Sequence, residues 1–286
     1  MKKIITLLLT LVLGVSCMAA FSGCKNKDDE IIVYTNAFFA PFEYYRGTEI
    51  VGVDVEIMNK VGEKMGKKVT FVDKDFDILI DTVAEGKVCD CAAAGITITD
   101  ARKEKVNFSI PYYTAQQFVI FADGAYTVNT DEGGNEYVLW SALAGKKIGV
   151  QRNTTGDIYT GIEINGDGEE GTEDYYPGEL NGTGATVTPY DNAQLAFEAL
   201  KAGTIDAVII DEMPAQYLVK NESAYKAAGI YYDAETATTE EYAIAVNKDM
   251  PDLLKAINDV LEELLAESDS DGNNGIEKLV KSHFGV

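Results

Sequence analysis

DNAQLAFEALKAGTIDAVIID, residues Asp191–Asp211, is the stretch on which the reading of this chain turns. Asp191 is placed to cap a helix over Ala193–Ala202, because its carboxylate can accept from the free amides of a first turn. Gly203 closes that helix, glycine being the residue that enters the left-handed conformation without strain. Ile205–Ile210 then forms a short β-prone apolar run that ends abruptly at Asp211. The same order occurs earlier in the chain. Phe76–Glu85 reads as a helix, Gly86 ends it, and Cys89–Ile98 reads as a strand that gives way to polar residues. Working outward, Ile31–Thr35 and Val69–Val72 read as strands, and Asn36–Pro41 as a loop. From Asp54, the apolar residues Ile57, Met58, Val61 and Met65 follow helical spacing and stop at Gly66. Lys146–Val150 is a further strand, leading into the polar turn Gln151–Gly156. Strands alternating with helices predict an α/β fold with a parallel-type sheet. Ligands gather beyond the carboxyl ends of such strands. Two such sheets facing each other would set Gly95–Arg102 and Asp211 across a shared cleft.

Bulk properties narrow the partners. The 286 residues are 46% apolar, enough for one large domain or two ordinary ones. Lys and Arg number 24 against 47 Asp and Glu, a formal charge of −23. A surface so acidic repels phosphate backbones and anionic lipid, which excludes nucleic acid as a natural partner. At the N-terminus, Lys2 and Lys3 precede the apolar run Ile4–Val15, which is shorter than the roughly 20 residues a spanning helix needs. That pattern predicts a signal peptide over residues 1–23. Phe21-Ser22-Gly23-Cys24 resembles a lipobox, which predicts Cys24 as a lipid anchor, with ordinary secretory cleavage nearby as the alternative. Residues 24–30 are polar and read as a tether. Loss of Lys2 and Lys3 takes the formal charge from −23 to −25.

Other features look structural. Cys89 and Cys91 stand two apart in a β-rich run and are expected as free thiols packed as small apolar residues. No further Cys or His accompanies them, and no metal is expected there. The Gly-rich acidic stretch between Thr160 and Thr186 reads as a solvated surface insertion; no Lys or Arg occurs from Asn153 through Leu200. Asp269, Asp271 and Asn273 mimic the start of a calcium loop, but Val280 stands where the bidentate Glu belongs. The single histidine, His283, sits near the C-terminus. No catalytic set assembles, and nothing calls for a cofactor. One arginine, short hydroxyls and an aspartate at strand ends, with aromatics nearby, are instead the parts needed to hold a zwitterion.

Ala40-Pro41-Phe42-Glu43-Tyr44, Gly52-Val53-Asp54-Val55-Glu56 and Ala94–Arg102 are followed by Asn107–Tyr113, Gly149–Asp157, Asp206–Asp211 and Tyr242–Val246. In this order the motifs resemble family 3 of the bacterial solute-binding proteins of ABC transporters, the group that binds polar amino acids. The resemblance runs from Ile31 to Gly285. It departs at the acidic insertion, the loop Thr127–Tyr137 and an extra residue near Val88-Cys89. It implies a periplasmic-binding-protein-like (Venus flytrap) fold of two lobes joined by two hinge crossovers, near Phe121–Gly124 and Glu235–Glu241. Lobe 1 would combine residues 30–121 with 241–286, and lobe 2 would be 122–240.

The resemblance also implies roles. Arg102 would clamp the ligand α-carboxylate with its planar fork. Thr97 would add a hydroxyl and an amide, while Thr154 and Thr155 would offer amides at a helix start. Gly95 would give a carbonyl to the α-ammonium, and Asp211 a carboxylate. Phe39 and Phe76 would sandwich the side chain, and Asn36 and Gln151 would meet its tip. Plainer readings are a salt bridge for Arg102, a helix cap for Asp211, core packing for the phenylalanines and backbone bonding for the two amides. The expected function is the extracellular, lipid-anchored component of an amino-acid ABC transporter, monomeric, delivering its ligand to a membrane permease without transforming it. Neutral polar amino acids are favoured because Asn36 carries no charge. Rival classes are a sensory ligand-binding domain and a cyclohexadienyl dehydratase-like enzyme on the same scaffold.

Overall fold

The computed structural model describes residues 29–285. The expected signal peptide, Cys24 and the tether up to residue 28 lie outside them. Among the described residues no helix is long and apolar enough to cross a membrane.

Two sheets carry the molecule. The first has five strands in the order Lys68–Asp73, Glu30–Thr35, Cys91–Ala92, Ala245–Val246 and Asn107–Phe108. Val33 and Tyr34 pair in parallel with Cys91 and Ala92, which pair antiparallel with Val246 and Ala245 on their other side. The expected strand Cys89–Ile98 is therefore short: beyond Ala92 the chain leaves the ladder and turns at Gly95, where φ is +52°. A β carbon there would stand 2.7 Å from the Phe39 ring, so only glycine fits this turn.

The second sheet has eight strands, seven of them in the order Thr186–Tyr190, Lys147–Gln151, Ala207–Asp211, Tyr113–Ala122, Tyr225–Tyr231, Glu136–Leu139 and Asn129–Thr130. It is mixed, not wholly parallel. Lys147–Gln151 runs parallel to both its neighbours, whereas Tyr113–Ala122 runs antiparallel to both of its own. Ala193–Lys201 forms the expected helix, capped by the Asn192 side chain instead of Asp191, with Gly203 just beyond its end at φ +69°. Val53–Met65 is helical as read, with Gly66 left-handed at its C-terminus.

The crossing between sheets differs from expectation. Tyr113–Gln116 pairs residue for residue with Tyr242–Thr239, and from Gln117 onward the same strand belongs to the second sheet. The first crossover thus precedes Phe121–Gly124, and residues 117–121 sit with lobe 2. The reason is physical. Phe118, Val119, Ile120 and Phe121 are buried and form the centre of a sheet, which hydrophobic burial fixes in place far more firmly than a hinge needs. The second crossover, Thr239–Tyr242, overlaps the expected Glu235–Glu241.

Packing follows the faces. Cys91 joins the largest cluster, with Val33, Ile57, Met58 and Tyr242, while Cys89 packs on the opposite face with Tyr34, Leu79 and Val83. Both thiols are free, and burial pushes Cys89 up to about 12. Trp140, Leu143 and Ile148 centre a third cluster under the second sheet. The acidic stretch is less loose than its composition suggests. Its first residues continue the helix Thr155–Asn165, and buried Glu163 ties the rest down, accepting from Tyr176 Oη at 2.7 Å and the Glu179 amide at 2.9 Å. In the 269–280 segment, Asp269 accepts from the amides of Asp271 and Asn273, and Asn274 caps the last helix in a reciprocal box with Glu277. His283 lies buried between Tyr44 and Glu56, its Nε2 2.7 Å from Glu56 Oε1.

Candidate functional site

Where strands end, the backbone leaves its ladder for turns, and here several such turns converge. Asn36, Phe39, Phe76, Gly95, Thr97, Gln151, Thr154, Thr155 and Asp211 line one cavity, together with Glu43, Ala94 and Ile210. Arg102 is not among them. It stands beside the cavity, lining a neighbouring opening with Phe76, Thr99 and Asn153.

Arg102 sits on the short helix Asp100–Lys103, capped by the Thr99 side chain. Its fork is committed to carbonyls: Nη1 donates to Thr97 at 2.8 Å and Nη2 to Asn153 at 3.0 Å. The guanidinium carbon lies 5.4 Å from the centre of the Phe76 ring. No carboxylate forms an ion pair with it among the described residues, so the plain salt-bridge reading does not describe it. Asn153 holds a left-handed conformation at φ +58°, which asparagine tolerates better than most residues. That turn aims its carbonyl at Arg102. Thr154 then caps the helix Thr155–Asn165, its hydroxyl oxygen accepting from the Asp157 amide, so the positive end of that helix faces the cavity.

The amides meet each other. Gln151 Nε2 donates to Asn36 Oδ1 at 3.0 Å, and Asn36 Nδ2 donates to the Lys74 carbonyl at 2.7 Å. Gln151 belongs to the second sheet and Asn36 follows the first, so this contact, like that of Arg102 with Asn153, joins the two lobes.

Beneath the cavity lies a group of buried acids. Asp211 occupies the cap position of the helix Glu212–Val219, but its side chain makes no capping bond. It accepts instead from Gln117 Nε2 and Tyr242 Oη. Glu240, on the second crossover, accepts at 2.5 Å from Thr97 Oγ1, at 2.6 Å from Thr155 Oγ1 and at 2.5 Å from Gln117 Nε2. Burial and the neighbouring Glu240 push Asp211 well above the usual carboxylate range. Asp54 accepts from Tyr112 Oη at 2.7 Å and the Gly95 amide at 3.0 Å; burial still raises it to about 6. Glu43 is fully enclosed, and neither of its oxygens receives a hydrogen bond. Burial first, then Asp54, push it well above the usual carboxylate range. Burial lowers Arg102, against the opposing fields of Glu240 and Asp211.

Sequence reasoning brought together the cavity walls and missed its floor. Gln117 and Glu240 carried no motif of their own, and Tyr242 opened a quoted motif without being read as a site residue. Glu43 and Asp54 stood inside the quoted motifs, where the acid two residues after Pro41 and the acid two after Gly52 were the available signal.

Comparisons with known proteins give the family. The family model of the bacterial extracellular solute-binding proteins, family 3, matches residues 31–273. The arginine-binding extracellular protein ArtP of Bacillus subtilis is 28% identical over 94% of this chain and 91% of its own length. The lysine/arginine/ornithine-binding periplasmic protein of Escherichia coli is 27% identical over 99% of this chain and 97% of its own. Among solved structures, an ancestral arginine-binding protein bound to glutamine is 31% identical, with a TM-score of 0.70 over 90% of this chain and 99% of that one.

Proposed function

The chain belongs to the bacterial extracellular solute-binding proteins, family 3, and from that premise we propose that it captures a free L-amino acid between its lobes and hands it to a membrane permease without chemical change. One observation carries the reading: residues from both lobes close around a cavity lined by Thr97 and Thr155 hydroxyls, the Asp211 carboxylate and the Phe39 and Phe76 rings, with the Arg102 fork alongside. Arg102 and the amides at the start of the helix Thr155–Asn165 suit the α-carboxylate, and Asp211 suits the α-ammonium. Ligand contacts on both lobes favour the closed arrangement, because a ligand shifts an equilibrium only by binding one state better.

The same proposal puts the protein outside the membrane, tethered by lipid at Cys24 and acting as a monomer. It assigns a neutral polar ligand, since Asn36 and Gln151 present amides, which exchange hydrogen bonds with a neutral tip but balance no charge. A second reading, a basic amino acid, is favoured by a specific observation. Asp211 and Glu240 are buried within the field of the Arg102 guanidinium, and the arginine-, lysine- and ornithine-binding relatives are named for basic ligands. Thermal-shift screening of the common L-amino acids tests the function, since a ligand of the folded state must raise the melting point. Competition titration between L-glutamine and L-arginine then decides the class. Stabilisation by none of the amino acids overturns the reading as a whole.

A further inference from the structure

Asp211 and Glu240 are each nearly enclosed, with 5% and 6% of their surface exposed, and both accept from the same nitrogen, Gln117 Nε2. Every hydrogen-bond donor they meet among the described residues is neutral: the Gln117 amide, the Tyr242 hydroxyl, and the Thr97 and Thr155 hydroxyls. No Lys, Arg or His forms an ion pair with either among the described residues. Two carboxylates placed this deeply without a cation are strongly penalised, because neutral donors do not replace the hydration of a second negative charge. The groups that face them offer little relief. Arg102 acts on them only through its field, its fork being committed to carbonyls, and Tyr159, Tyr242 and Glu43 bring no positive charge.

Resting on the amino-acid reading above, we propose that Glu240 is the second half of the cation seat: with Asp211 it holds one positive charge, a proton before the amino acid enters and the α-ammonium afterwards. Asp211 faces the cavity and makes the contact; Glu240 lies directly behind it and sets the charge of the seat. The geometry says which group carries the proton. Glu240 Oε1 already accepts from an amide and Oε2 from two hydroxyls, so three of its acceptor sites are occupied. Asp211 is therefore the protonated partner, in keeping with its upward shift. When the ammonium arrives, the Asp211 O–H bond breaks, the carboxylate pairs with the ammonium, and the proton leaves to solvent, since one positive charge is all that the seat holds. Affinity is then full above the raised ionisation of Asp211 and falls as the pH drops through it.

Calorimetric titration of L-glutamine and of L-arginine, in buffers of different ionisation enthalpy near neutral pH, reads this directly. The expected result is release of about one proton per ligand bound, and below neutrality about a tenfold loss of affinity per pH unit. Glu240→Gln removes the acid behind Asp211 while keeping an acceptor for the hydroxyls. It is expected to abolish most of the proton release, which a merely structural residue would leave in place. Binding without buffer dependence in the wild type overturns the proposal, as does full release retained in Glu240→Gln. If that variant does not fold, the wild-type pH slope stands alone as the test, and a flat slope overturns the idea. Failure of every common amino acid to bind sinks the amino-acid reading, and this proposal with it; binding without proton release sinks this proposal only.

Discussion

Replacing Asp54 by asparagine should change how stability depends on pH more than it changes stability at any one pH. Asp54 is buried, and its two oxygens accept from Tyr112 Oη and the Gly95 amide. Burial outweighs both bonds and lifts the group from its ordinary 3.8 to about 6 in the folded protein. The native state thus binds a proton more readily than the unfolded one, so this group contributes stability below pH 3.8 that is lost as the pH rises through 6. At about 1.4 kcal/mol per unit, the difference comes to roughly 3 kcal/mol between pH 4 and pH 7. The substituted amide titrates at neither pH. Its oxygen can accept from one donor, but its nitrogen cannot accept from the other, which leaves one bond unmade at about 1–3 kcal/mol. At neutral pH the two effects nearly offset, and the variant should sit within about 1–2 kcal/mol of the wild type. At pH 4, where the wild type carries no such penalty, it should lead by the missing bond, about 1–3 kcal/mol. Glu43 pushes the same way, since Asp54 contributes to its upward shift and the variant relieves it. Urea unfolding followed by circular dichroism at several pH values between 4 and 7 gives the comparison. A wild-type-minus-variant difference that stays constant across that range refutes the claim that burial dominates at Asp54.

Gly95→Ala should destabilise by about 2–4 kcal/mol, from a left-handed backbone and a β carbon driven into the Phe39 ring, and calorimetric melting measures it. Arg102→Ala should weaken amino-acid binding by tenfold or more, losing both its carbonyl bridge between lobes and its charge for the ligand carboxylate; titration calorimetry at near wild-type affinity would count against the clamp. Cys24→Ala should move the protein from the membrane fraction to the soluble one with amino-acid affinity unchanged, as fractionation and titration of the released chain would show.

The walls of the cavity were legible because local chemistry dictates them. Gly95, Thr97 and Asp211 follow apolar strands, and a polar residue at such an end has little else to do than face a cleft. Gly66 and Gly203 marked helix ends for a backbone reason that needs no tertiary context. The first crossover was misread for the opposite reason. An apolar run such as Phe118–Phe121 looks the same whether it ends a lobe or begins one, and only its pairing with Ala207–Asp211 and Tyr225–Tyr231 decides. Asn192 displaced Asp191 as the helix cap by a single residue, a choice that depends on which side chain reaches the Leu195 amide. Arg102 was read at a strand end but sits on the short helix Asp100–Lys103, and its carbonyl partners come from Thr97 and from Asn153 in the other lobe, the second a contact between residues far apart in sequence. Glu240 was invisible as a site residue because its significance lies in what surrounds it. One acid among 47 says nothing until burial and a shared donor single it out.

That floor also explains where binding energy is delivered. Gln117 and Glu240 lie on, or next to, the paired segments Tyr113–Gln116 and Thr239–Tyr242, the strands by which the chain passes between sheets. The donors that Glu240 gathers come from both sides of the crossing, Thr97 after the first sheet and Thr155 at the start of a second-sheet helix. An opening of the lobes at these strands must separate Thr97 from Thr155 and leave Glu240 short of donors, at about 1–3 kcal/mol for each charged acceptor left unmatched, unless water replaces them. Closing restores the donors but brings Asp211 and Glu240 together again under one amide, which a positive charge relieves. The element that bends is therefore the element that holds the uncompensated charge. On the seat proposed above, an ammonium at Asp211 takes over from the proton that closure otherwise requires, which would tie capture of the amino acid to the movement that encloses it.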